Sequence, residues 1–181
     1  MNTTANKITL LRIVLVPFFL LFEYLGKPGV AFALFITASF SDLLDGYIAR
    51  NYNQITVFGK FMDPLADKIL VLAAMCFLIE AHIMPGWAVA LVLFREFAVS
   101  GLRLIAAEQN IVIAAAPSGK IKTACTMICL SILLLFFQQS PLWLNLICTL
   151  VIVITTLWSG FEYFQKNLHV LTTDNKESSE K

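Results

Sequence analysis

The chain has 181 residues, enough for one domain, and 59% of them are hydrophobic while only 14% are charged. Its mean hydropathy of +0.80 excludes an ordinary soluble globule, whose charged share sits near a quarter of all residues. The net charge of +1 gives no bulk attraction for nucleic acid, and no nucleic-acid partner is expected.

Apolar runs of membrane-crossing length follow one another along the chain. The first extends from about Ile8 to Leu25 and stops at Gly26-Lys27-Pro28-Gly29. It reads as a retained span and not as a signal peptide, because Arg12 interrupts it early and no small-residue cleavage site follows Leu20 to Tyr24. The second runs from Val30 to about Arg50, and the polar stretch Asn51 to Thr56 separates it from a third over about Phe61 to Ile79. Pro85 and Gly86 open a fourth that ends near Ala107. Ser118, as an N-cap, opens a fifth that ends near Gln138. Pro141 precedes the sixth, which reaches about Phe164. Residues 1–166 thus read as one all-α domain of six transmembrane helices, and 167–181 as a polar, disordered cytoplasmic tail.

Basic residues gather on one side of this arrangement. Lys7 and Arg12 lie at the N-terminus, Arg50, Lys60 and Lys68 flank the 2–3 loop, Arg103, Lys120 and Lys122 flank the 4–5 loop, and Lys166, Lys176 and Lys181 end the chain. The opposite loops carry only Lys27. The asymmetry places both termini in the cytoplasm. Cys76, Cys125, Cys129 and Cys148 all lie in apolar runs at spacings that match no metal motif, and they read as small buried hydrophobes. His82 and His169 have no ligand partner nearby and read as surface residues.

Four acidic residues stand where they are costly. An ionisable side chain near mid-membrane costs roughly 2.5–3.5 kcal/mol on insertion scales. Asp42 and Asp45 lie near the end of the second span, Asp63 and Asp67 near the start of the third, so both pairs fall on the cytoplasmic side. Asp42 is eight residues before Arg50, roughly 12 Å deeper along a continuous helix. The i, i+3 and i, i+4 spacings put each pair on one helix face. Facing each other, the pairs make an all-oxygen cage whose mutual repulsion a divalent cation relieves, and oxygen ligands suit Mg²⁺ or Mn²⁺ better than zinc. The plainer alternative is a solvated loop edge in which the aspartates pair with Arg50, Lys60 and Lys68; four carboxylates interleaved with Gly46 and Gly59 weigh against it. Gly46 and Ala49 leave a flat patch that suits either a planar base and ribose or close helix packing.

These residues resemble the signature of the CDP-alcohol phosphotransferases, D-x-x-D-G-x-x-A-R followed by G-x-x-x-D-x-x-x-D. The chain reads Asp42-Leu43-Leu44-Asp45-Gly46-Tyr47-Ile48-Ala49-Arg50, then eight residues, then Gly59-Lys60-Phe61-Met62-Asp63-Pro64-Leu65-Ala66-Asp67, with every fixed position filled. The resemblance implies six transmembrane helices, a homodimer in a bacterial cytoplasmic membrane, and two divalent cations on Asp42, Asp45, Asp63 and Asp67. It implies that Asp67 is also the base for the incoming hydroxyl. It implies a cytidine diphosphate pocket of Asp42, Gly46, Ala49, Arg50, Gly59 and Asp63, facing the cytoplasm. The expected reaction moves a phosphatidyl group from CDP-diacylglycerol, drawn from the membrane lipids, to an alcohol.

For the acceptor, Arg95 beside Glu96, Arg103 two turns on, and Lys120 and Lys122 at the start of the fifth span suggest a second, positive pocket for an alcohol bearing its own phosphate. Ordinary positive-inside anchoring also accounts for the two lysines. The stretches Arg95-Glu96…Leu102-Arg103, Gly119-Lys120-Ile121-Lys122-Thr123 and Asn6-Lys7-Ile8-Thr9-Leu10-Leu11-Arg12 resemble the bacterial members of the family whose acceptor is sn-glycerol 3-phosphate. Inositol phosphate or serine remains an alternative acceptor. A small divalent-cation transporter is the rival from another class, but it needs polar residues along the fifth and sixth spans, which offer little beyond Thr126, Ser131 and Asn145.

Overall fold

The computed structural model describes residues 4–51, 57–109, 111, 113 and 116–168, with the side chains of 4–7, 42–51, 57–61, 63, 64 and 67 outside the description. The described chain is helical, without strand, and runs α1 (Thr4–Tyr24), α2 (Pro28–Asn51), α3 (Val57–Glu80), α4 (Gly86–Glu108), α5 (Pro117–Phe136) and α6 (Leu142–Asn167). Each element covers most of one apolar run expected from sequence, with α1 ending at Tyr24 and α5 at Phe136, short of the expected Leu25 and Gln138. Among the described residues, α5 and α6 are long and apolar enough to cross a membrane. In α2 the described apolar stretch is Pro28–Ser41.

The helix ends follow from local chemistry. After α1, Gly26 takes φ +68°, and the bonds Lys27 N–H to Phe22 O (3.0 Å) and Gly26 N–H to Glu23 O (3.1 Å) close the last turn. His82 does the same after α3 with φ +57°, through Ile83 N–H to Leu78 O (2.9 Å) and His82 N–H to Ile79 O (3.0 Å). Both are left-handed Schellman ends, and only at the first is the residue a glycine that adopts this backbone without cost. The fifth helix opens at Pro117 and not at a Ser118 cap. Proline's fixed φ suits the first helical position, where its missing N–H has no intrahelical partner to lose. Ser118 therefore lies within the first turn and is buried.

The chain forms two compact units. In the first, comprising α1–α3 and residues 130–140, α1 packs on both α2 and α3. The Phe19 and Phe35 ring centroids lie 5.8 Å apart, and Arg12 Nε donates to Ser41 Oγ at 3.3 Å. Positions that rise along α1 meet positions that fall along α2, so these helices are antiparallel. The end of α1 meets the end of α3 through Tyr24 and Phe77 (6.1 Å, nearly perpendicular) and through the Tyr24 hydroxyl, which donates to Glu80. Ala31 and Ala38 of α2 and Ala66 and Ala74 of α3 are fully buried. Small residues at such positions let helix backbones approach closely, the packing device available where surrounding lipid removes any hydrophobic drive.

In the second unit, comprising residues 84–129 and 141–181, α4 packs on α6. The buried side chains of α4 include Ala88, Val92, Val99, Leu102 and Ala106, and those of α6 include Thr149, Ile152, Thr156, Ser159 and Tyr163. Both series step by three and four residues, the period of one helix face turned to a neighbour. Arg95 fills the vacant step between Val92 and Val99. The cysteines divide: Cys129 and Cys148 are buried, Cys125 is half-buried and Cys76 is exposed on α3. The expectation that all four are interior thus fails at Cys76, because an apolar run buries only one face of its helix against protein.

Candidate active site

The signature residues fall on two helices of the first unit. Asp42, Asp45, Gly46, Ala49 and Arg50 lie within α2, and Gly59, Asp63 and Asp67 within α3. Both helices run unbroken through these positions, so the i, i+3 and i, i+4 spacings are helical spacings, and α2 packs against α3. The side chains of all eight lie outside the described residues. The fit to divalent cations therefore rests on the donor set, four carboxylates on two neighbouring helices, which is the hard, all-oxygen set such ions take. Among the described residues, no group of three or more His, Cys, Asp and Glu converges.

The sequence marks Arg12 as a charge that interrupts the first span, and the structure brings it beside this region. Arg12, fully buried in α1, reaches Ser41, the residue immediately before Asp42. An arginine inside an apolar helix needs polar company, and here that company lies next to the first carboxylate.

The four cations suggested for an acceptor phosphate all belong to the second unit, and their surroundings differ. Arg95 and Lys122 are tied together by Glu96: Arg95 Nη1 donates to Glu96 Oε1 at 3.0 Å, and Lys122 Nζ donates to the same oxygen. Their side chains are only 12% and 8% exposed, that of Glu96 20%. Arg95 Nη2 also donates to Ser159 Oγ on α6. Arg103, two turns further along α4, is exposed; its Nε donates to the Tyr163 hydroxyl at 2.9 Å, and its guanidinium lies 5.4 Å from that ring's centroid. Lys120 is exposed at the start of α5. The four cations thus comprise one buried pair bridged by a counter-ion and two exposed residues.

The sequence reading passed over the partners, above all Ser159 and Tyr163. It also counted Thr126, Ser131 and Asn145 as the polar content of the last two spans, whereas Thr149, Thr156 and Ser159 are all buried on α6. A signal was there: Thr149, Thr156, Ser159 and Gly160 recur at helical spacing in the most apolar part of the chain. These hydroxyls add polar positions to the sixth span, where the case against a cation transporter had counted few, but they add no carboxylate.

A family model described as CDP-alcohol phosphatidyltransferase matches residues 2–158. A curated CDP-diacylglycerol–glycerol-3-phosphate 3-phosphatidyltransferase of Bacillus subtilis is 42% identical, with 97% of this chain and 100% of the relative aligned. A protein of the same description from Rickettsia bellii is 36% identical over 88% of this chain and 92% of its own length. A probable phosphatidylglycerophosphate synthase of Mycobacterium tuberculosis is 36% identical over 91% of this chain and 81% of its own.

Proposed function

This chain belongs to the CDP-alcohol phosphatidyltransferase family, and on that premise we propose that it transfers the phosphatidyl group of CDP-diacylglycerol to sn-glycerol 3-phosphate, giving phosphatidylglycerol phosphate and CMP. The observation that carries this reading is the complete eight-residue signature on two packed helices. The acceptor follows from relatives whose names specify glycerol 3-phosphate, aligned over most of both chains.

The work divides between two sets of residues. Asp42, Asp45, Asp63 and Asp67 would hold two divalent cations, Mg²⁺ or Mn²⁺, which when bound neutralise the pyrophosphate and stabilise both the attacking and leaving oxygens of an in-line displacement. Gly46, Ala49 and Gly59 give the cytidine a surface without protruding side chains, and the Arg50 fork binds a phosphate or the base edge. Arg95 and Lys122 bind the phosphate of the acceptor, with Lys120 and Arg103 at its approach. Asp67 takes the proton from the primary hydroxyl as that oxygen attacks the lipid-side phosphorus. The new P–O bond replaces the pyrophosphate P–O bond, and CMP departs with its electron pair.

In this reading all six helices cross a bacterial cytoplasmic membrane, both termini and the site face the cytoplasm, and the protein works as a homodimer. The lysine and arginine asymmetry supports the orientation, and the span-length α5 and α6 support a membrane location. The test is competition among acceptors: purified protein receives labelled CDP-diacylglycerol with equal glycerol 3-phosphate, inositol phosphate and serine, and the lipid product is identified. Phosphatidylglycerol phosphate is the expected product. Predominance of either other lipid would keep the family and overturn the acceptor.

A further inference from the structure

Arg95 is held in place by a feature that bears no charge. On α6, a methyl group added at Gly160 would come within 3.1 Å of Arg95 Cγ and 4.0 Å of its Nε. Added at Gly119, at the start of α5, it would lie 4.0 Å from Arg95 Nη2. The arginine stem therefore runs directly over the bare backbone of Gly160, and the guanidinium passes Gly119. Two groups then fix the fork, Glu96 accepting from Nη1 and Ser159 from Nη2, and Glu96 also accepts from Lys122. Nε is buried and has no hydrogen-bond partner among the described residues.

A carboxylate amid cations meant for a phosphate looks counterproductive. Its geometry explains it: two like charges brought together repel, and one shared carboxylate oxygen cancels that repulsion while leaving the cluster a net positive charge. Arginine also loses much rotamer freedom on binding unless it is already held, so a seat that fixes the stem removes that cost from the binding step.

We propose that Gly160, Ser159 and Glu96 are positioning residues that hold Arg95 and Lys122 ready for the phosphate of the acceptor, with Gly160 setting where the Arg95 stem lies. The inference rests on the acceptor-pocket reading above. Gly160 is the sharpest element, because alanine there adds one methyl at a distance tighter than ordinary van der Waals contact, and the Arg95 stem at Cγ must give by a few tenths of an ångström.

The experiment is steady-state kinetics on the full-length protein with both substrates varied, for wild type, Gly160→Ala, Ser159→Ala and Arg95→Ala. Gly160→Ala is expected to raise KM for glycerol 3-phosphate about tenfold, since small misplacements of binding groups carry penalties of that order. KM for CDP-diacylglycerol stays within about twofold, a split that general loosening of the fold would not produce. Ser159→Ala adds no volume, and its expected rise in the same KM is about threefold or more, from one lost hydrogen bond; it also serves should Gly160→Ala not fold. If Arg95→Ala raises this KM while Gly160→Ala and Ser159→Ala match wild type, the positioning role is wrong and the pocket stands. If Arg95→Ala leaves it unchanged, the pocket assignment falls and the positioning role falls with it.

Discussion

The α2–α3 region and the α4–α6 region carry opposite charge and solve opposite problems. The first carries four carboxylates, one pair within a turn or so on each of two packed helices. Such a set repels itself, and external cations relieve it. The second gathers cations and brings its own counter-ion, Glu96, shared between Arg95 and Lys122. On the proposed function, bound cations would balance the charge of the first region, whereas in the second Glu96 balances it only in part. The acidic region should therefore respond to metal and the basic region to acceptor.

Four results would break or sharpen that contrast. The largest concerns metal: chelating divalent cations should reduce CMP release roughly a thousandfold or more, because the cations supply several kcal/mol of charge stabilisation. Addition of Mg²⁺ or Mn²⁺ should restore it. Activity that survives chelation would remove the reason for the four carboxylates. Next, Asp67→Asn should lower kcat by roughly 10²–10⁴-fold, the usual worth of a general base, with metal still bound. Turnover near wild type would take the base role from Asp67. In the basic region, Lys122→Gln should raise KM for glycerol 3-phosphate about tenfold through loss of a charge-assisted contact. It should leave metal activation as it was; a changed metal requirement would mean that the regions do not divide the work.

The smallest effect lies outside both regions. His82 holds a left-handed φ of +57° at the end of α3, a backbone that costs an L-residue about 1 kcal/mol. His82→Gly should stabilise the protein by about that amount in detergent unfolding, without altering kinetics. Destabilisation would show that the imidazole makes a contact worth more than the strain.

The contrast also explains what the sequence disclosed. Asp42 and Asp45 are three residues apart, Asp63 and Asp67 four, so a helix alone puts each pair on one face. The six helices were likewise legible, since apolar length and Pro/Gly punctuation are local, although Ser118, expected to cap α5 from outside, is its second residue. The cation cradle depends on contacts between residues 26 and 64 positions apart, Glu96 with Lys122 and Arg95 with Ser159. No local spacing encodes these. Gly160 reads in the sequence as one more small residue in an apolar helix, and its meaning appears only when Arg95 is found lying across it.

The most direct test of the central claim is CMP release by the purified protein with CDP-diacylglycerol, omitting in turn the divalent cation and glycerol 3-phosphate, for wild type and Asp63→Ala. Release by wild type that needs both additions, and its loss in Asp63→Ala, is the predicted result. Release without metal, equal release by Asp63→Ala, or no release from folded wild type given both would contradict it.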